Sequence, residues 1–110
     1  MTIVASAVEQ LDGAIPTEYA LRQNYPNPFN PATTIQFALP KSSYVILKVF
    51  DALGKEVTTL VSRELSPGYF TIRWNANVPS GIYFYRLQAR QTDGGQAGEF
   101  MQTKKMILLK

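Results

Sequence analysis

Three prolines fall within the stretch Asn24-Tyr25-Pro26-Asn27-Pro28-Phe29-Asn30-Pro31. Each ring fixes φ and removes a backbone donor, so no helix can run through it. The residue before each proline is pushed toward an extended conformation. Tyr25 and Phe29 are large apolar groups that a plain linker does not need. The segment is therefore expected to be stiff and extended, docking its aromatic side chains onto a folded body. It also divides the chain: an acidic leader lies before it and a dense series of short strand signals after it.

The leader is residues 1–20. It holds Glu9, Asp12 and Glu18 and no basic residue, and its apolar pattern has no period. With Ile15-Pro16 it reads as extended and mobile, with a short strand at Ile3-Val4. The other 90 residues carry all 11 basic side chains and five of the 8 acidic ones. A basic body can signal nucleic acid. Here the charges are scattered along the strands, and only Lys104-Lys105 are adjacent, so solvated strand faces explain them and no nucleic-acid partner is expected. No apolar run approaches the ~20 residues of a membrane-spanning helix. The first eight residues lack the basic flank and length of a signal peptide.

After residue 20 the apolar period is that of β-strands. Leu21 to Tyr25 is the first candidate. Thr33 to Leu39 places Ile35, Phe37 and Leu39 on one face, and Pro40 stops it. Tyr44 to Phe50 places Val45, Leu47 and Val49 opposite Lys48. In the next strand, Val57, Thr59 and Val61 alternate with Glu56, Thr58 and Leu60. Tyr69 to Trp74 turns Phe70, Ile72 and Trp74 inward. Ile82 to Arg90 places Tyr83, Tyr85, Leu87 and Ala89 on one face, leaving Ile82 and Phe84 on the other. Turn signals separate them: Asp51 with Gly54, Ser66-Pro67-Gly68, Pro79-Ser80-Gly81 and Asp93-Gly94-Gly95. Phe100 to Leu109 closes the chain. About seven strands spaced about 8–12 residues apart argue an all-β sandwich; a small barrel has the same periodicity. The expected core is Ile35, Phe37, Val45, Leu47, Val49, Val57, Phe70, Ile72, Trp74, Tyr83, Tyr85, Leu87 and Met106.

The residue inventory disfavours catalysis. The chain has no cysteine and no histidine. This leaves no disulfide, no thiolate and neither the commonest general base nor the commonest transition-metal ligand. Ser–Lys chemistry would need a buried lysine such as Lys104 or Lys105. Asp51, Glu56, Glu64, Asp93 and Glu99 sit at turns and strand edges, where turn-forming and solvated roles account for them. Asn24, Asn27 and Asn30 offer oxygens, but no calcium-loop spacing exists. No cofactor is expected. Trp74, Tyr83 and Tyr85 fall on core faces and not on a sugar-stacking surface. The closing stretch is apolar on both faces up to its end, which suits a strand covered on both sides or offered to a partner.

Five stretches in order resemble one family. They are Asn24 to Pro31 with Thr33-Thr34-Ile35; Leu47 to Val57, containing Asp51-Ala52-Leu53-Gly54-Lys55; Pro67-Gly68; Ser80-Gly81-Ile82-Tyr83-Phe84-Tyr85-Arg86-Leu87; and Lys104-Lys105-Met106-Ile107-Leu108-Leu109-Lys110. Together they resemble the type IX (Por) secretion system C-terminal sorting domain, type A, over residues 21–110. The resemblance implies an immunoglobulin-like antiparallel sandwich that directs a fused, exported cargo across the outer membrane. The implied partners are the outer-membrane type IX translocon and a sortase-type protease, with transit through the periplasm and arrival at the cell surface or outside. Gly81, Ile82, Tyr83 and residues 104–110 are the implied recognition elements. Asn24, Tyr25, Pro26, Asn27, Pro28, Phe29, Asp51, Gly54, Pro67 and Gly68 are the implied structural motif. Cleavage is implied within Gly13, Ala14, Ile15, Pro16, Thr17, Glu18, Tyr19, Ala20 and Leu21. The missing export signal fits a domain excised from a longer protein. The exposed edge of the closing strand suits strand addition to a receptor, or a homodimer. Two alternatives remain. One is a scaffold module, since the chain also resembles the Ig-like part of flagellar hook-capping proteins. The other is an accessory carbohydrate-binding module of a secreted hydrolase.

Overall fold

The computed structural model describes residues 8–11, 13–92 and 98–110. The strand expected at Ile3-Val4 and the loop glycines Gly94 and Gly95 lie outside the described residues. Eight strands form: β1 (Glu9–Leu11), β2 (Ala20–Leu21), β3 (Ala32–Leu39), β4 (Ser43–Asp51), β5 (Glu56–Leu65), β6 (Gly68–Asn75), β7 (Gly81–Gln91) and β8 (Glu99–Leu108). They make two antiparallel four-stranded sheets, ordered β1-β6-β3-β2 and β5-β4-β7-β8. Among the described residues there is no helix. The architecture is a β-sandwich.

Alternation built the two inner faces as the sequence predicts, because successive strand side chains point to opposite sides. Ile35, Phe37 and Leu39 of β3 meet Phe70, Ile72 and Trp74 of β6 on one sheet. Val45, Leu47 and Val49 of β4 and Tyr83, Tyr85, Leu87 and Ala89 of β7 face them from the other, and all are buried. Phe37 and Phe70 are register partners and stack at 5.5 Å. Chain turns deliver the strands to the correct sheet. Between β4 and β5, Asp51 Oδ1 accepts from the Leu53 and Lys55 amides at 2.9 Å each, and Gly54 takes φ 86°. Between β5 and β6 only Ser66 and Pro67 intervene. Gly68 then adopts φ 154° with the Gln10 side chain against its α-carbon, where a Cβ would collide.

Strand β5 departs from its expected alternation. Its register against β4 shifts twice, so Leu60 and Val57 each lack a partner across the ladder. A bulge inserts one residue and reverses the facing of the residues beyond it. Val61 is buried while Thr59, expected on the same face, is exposed, and Val57, an expected core residue, is only half-buried against the cluster.

The acidic segment is partly ordered against the body. Glu9–Leu11 pairs with β6 at the sheet edge, Pro16 is buried, and the Tyr19 ring stacks on Phe100 at 5.5 Å. The Tyr19 hydroxyl also bonds Ser43 Oγ at 2.9 Å.

Candidate functional site

The two stretches implied in recognition are distant in sequence and adjacent in space. Antiparallel pairing of β7 with β8 sets Gly81 opposite Leu108, Ile82 opposite Ile107 and Tyr83 opposite Met106. Beyond β8, the Lys110 amide donates to Ser80 Oγ at 2.8 Å and ties the last residue to the start of the other stretch. Alternation then divides the residues by face. Tyr83, Met106 and Leu108 point inward and are buried. The Tyr83 ring meets Trp74 edge-on at 6.1 Å, and its hydroxyl donates to the Pro79 carbonyl at 2.7 Å. Ile82, Lys105, Leu109 and Lys110 are exposed, while Gly81, Lys104 and Ile107 are half-buried. The solvent-facing part of the pair is thus a small apolar patch, Ile82 with Ile107 and Leu109, beside cationic Lys105 and Lys110.

The proline-rich segment backs this same strand. Residues 20–25 first run beside β3: Ala20 and Leu21 pair with Ala38 and Phe37, and Tyr25 exchanges two main-chain bonds with Thr34, at 3.0 and 2.9 Å. The chain then crosses from one sheet to the other. The Phe29 amide donates to the Ile107 carbonyl at 2.9 Å, and the Leu109 amide donates to the Phe29 carbonyl at 3.0 Å, a parallel bridge on β8. Asn27 Oδ1 accepts from the Ile107 amide at 2.9 Å, and Gln23 Nε2 donates to the Lys105 carbonyl at 2.8 Å. The peptide bonds preceding Pro26, Pro28 and Pro31 are cis. Phe29 enters the core 5.8 Å from Trp74.

These contacts correct two expectations. The outer edge of β8 is not open along its terminal half, because the proline segment satisfies residues 105–109. The same strand parity directs the main-chain groups of Met101 and Thr103 outward, and among the described residues nothing pairs with them. Tyr25 was expected to dock beside Phe29, yet it is 80 % exposed. Its strand partner is Thr34, on the outer face of β3, so its ring turns to solvent while Phe29 turns inward.

A buried polar network fixes the crossing, and Tyr85 is its centre. Its hydroxyl donates to the Arg22 carbonyl at 2.7 Å and accepts from the Asn24 amide at 2.8 Å. Asn24 is buried; its Nδ2 donates to Thr33 Oγ1 at 2.9 Å and to the Pro26 carbonyl at 3.2 Å. Thr33 Oγ1 in turn donates to the Pro26 carbonyl at 2.9 Å. Buried polar groups need such partners, since an unpaired one forfeits its hydration. Burial pushes the Tyr85 phenol up to about 12, against a smaller opposing effect of the Asn24 amide. The residue pattern marked Tyr85 as core only; the series Asn24, Asn27, Asn30 was the visible signal that side-chain amides matter here.

The implied cleavage residues divide as well. Gly13, Ala14, Ile15, Thr17 and Glu18 are exposed, Pro16 and Leu21 are buried, and Tyr19 and Ala20 are half-buried. Among the described residues no group of three or more acidic side chains gathers as a metal site. No described helix is long and apolar enough to cross a membrane.

No curated protein matches the chain. A family model described as "Secretion system C-terminal sorting domain" matches residues 23–107, from the side chain that bonds the edge of β8 to the register partner of Ile82. The chain is a member of that family, the C-terminal sorting domains of type IX secretion.

Proposed function

We propose that this domain is read by the outer-membrane type IX translocon through the solvent face where β7 and β8 meet. The observation that carries the proposal is the register itself, which sets Ile82 beside Ile107 and gathers Lys105, Leu109 and Lys110 around them. An apolar centre with a cationic rim is a surface a partner can desolvate at low cost. The cargo fused upstream passes through the periplasm to the cell surface or the medium, and the domain acts as a folded address and not as a catalyst. A sortase-type protease then removes it and either anchors or frees the cargo. Extended, exposed backbone is what a protease cleft admits, and within residues 13–21 the exposed stretch at 13–15 supplies it better than paired Ala20 and Leu21. A second copy pairing through the edge of β8 would have to use its open half, residues 99–103.

The test places residues 8–110 behind a signal-peptide-bearing fluorescent reporter in a type IX-competent bacterium. Removing residues 104–110 also removes buried Met106 and Leu108, so a truncated twin mixes misfolding with lost recognition. The pair Lys105→Glu and Leu109→Asp leaves the core intact and separates them. The parent reporter is expected outside the cell, and the double variant trapped in the periplasm with an unchanged melt of the isolated domain. Export of the double variant at the parent level would move recognition off this face. N-terminal sequencing of the freed domain is expected to begin after a cut at 13–15; a cut within β3 to β8 would rule out removal of an intact domain by such a protease.

A further inference from the structure

Tyr25, the aromatic side chain of the proline segment that does not dock, stands over a cleft of about 420 Å³ lined by Arg22, Gln23, Tyr25, Thr34 and Gln36. We propose that this cleft and the adjoining outer face of β3 and β6, a face that the export proposal does not use, bind an anionic polysaccharide.

Each component has a chemical reason. The Tyr25 ring is 80 % exposed, yet its backbone is held by two bonds to Thr34 and followed by Pro26. A ring presented on fixed backbone loses little freedom on stacking against the apolar face of a sugar. Thr34 is paired with Arg73 and Gln36 with Thr71 across the ladder, so a guanidinium, an amide and two hydroxyls extend the same face. Arg22 reaches it from the other side. Among the described residues neither the Arg22 nor the Arg73 guanidinium has a carboxylate partner; the ion pair present is Lys48–Glu56, on the opposite sheet. Two carboxylates belong to the surroundings, Glu9, opposite Thr71 in the register, and Glu18, in the neighbouring cleft that Arg22 also lines. Two unpaired planar donors beside a stacking ring suit uronate, sulfate or phosphate groups on a sugar chain.

An acidic peptide fits less well. A peptide strand would bind by adding to the edge of β3, but residues 20–25 already fill that edge, with Arg22 and Tyr25 amides donating to the Gln36 and Thr34 carbonyls. The groups left free are a ring face and side-chain donors, which recognise a polyhydroxylated ring.

The experiment titrates the whole 110-residue chain with an oligogalacturonate, neutral cellohexaose and a ten-residue poly-glutamate peptide at physiological salt, read by calorimetry. Oligogalacturonate is expected to bind, with affinity falling about tenfold or more for Tyr25→Ala and for Arg22→Gln. Lys48→Gln, a matched charge loss on the other sheet, is expected to change nothing. All three variants alter exposed or half-exposed side chains, and an unchanged melt verifies their folding. No binding of oligogalacturonate overturns the proposal. Equal loss for Lys48→Gln overturns it too, because binding would then follow net charge alone. Undiminished binding by Tyr25→Ala, equal binding of cellohexaose, or equal binding of the glutamate peptide would each contradict it as well.

Discussion

The two outer strands of the β5-β4-β7-β8 sheet meet the same hazard by different means. An unpaired edge exposes a row of donors and acceptors to any passing strand. On β8 the edge from 105 to 109 is closed by the proline segment, whose attachments run into the core through Phe29 and into the buried network of Tyr85, Asn24 and Thr33. On β5 no described strand or segment pairs with the edge, which is distorted by two bulges, with the Lys48–Glu56 ion pair, 3.1 Å apart, lying on its outer face. A bulge spoils an edge as a template without burying anything. Sealing by a strap costs more chain and yields a terminal strand held from both sides. The difference predicts where stability is concentrated: on the side that carries the candidate recognition surface.

The comparison breaks most directly at Phe29. Phe29→Ala removes a fully buried ring packed on Trp74 and is expected to cost about 3–5 kcal/mol in urea unfolding; a loss comparable to that of an exposed site would show that the strap merely rests on the sandwich. Tyr85→Phe keeps the ring and deletes the hydroxyl, leaving the buried Asn24 amide and Arg22 carbonyl short of a partner, with an expected loss of about 1–3 kcal/mol in the same assay.

Tyr85 also sharpens the comparison through pH. Its folded pKa, about 12, lies above the ordinary phenol value of 10. The fold therefore favours the neutral form, and that contribution is fully present below pH 10 and fades as pH rises from 10 toward 12. Unfolding curves across that window should steepen in their pH dependence for the parent and lose that component in Tyr85→Phe. The smallest effects belong to the exposed sites. Tyr25→Ala should change stability by no more than about 0.5 kcal/mol, since its ring touches little of the body. Glu56→Gln on the β5 side should move the unfolding midpoint no further than replicate scatter: Lys48, then Thr59, hold the Glu56 carboxyl below its usual range by hydrogen bonds, but at an exposed site where water screens the pair.

Much of this was legible in the residues. The inner faces of β3, β4, β6 and β7 come from strict alternation, and the Asp51–Gly54 turn from the chemistry of its two residues. The bulges of β5 were not legible, because an inserted residue leaves Val57, Thr58, Thr59 and Leu60 equally plausible on either face. The opposite fates of Tyr25 and Phe29 were hidden as well. Both are aromatic residues beside prolines, and only the pairing of Tyr25 with outward-facing Thr34 separates them. The sealing of β8 depends on main-chain groups, which carry no residue signature; Asn27 and Asn24 hinted at it without naming a partner. The pairing of residues 81–83 with 106–108 came from register, although the resemblance had already singled out both stretches.

The most direct test of the strapped strand is native-state amide hydrogen exchange along β8. The Ile107 amide donates to Asn27 Oδ1 and the Leu109 amide to the Phe29 carbonyl, whereas the amides of Met101 and Thr103 face the open half of the same edge. Slow exchange is expected at Ile107 and Leu109, near the rate set by global unfolding for Ile107, and fast exchange at Met101 and Thr103. Equally fast exchange at all four would mean that the strap does not hold the edge, and would contradict a sealed terminal strand.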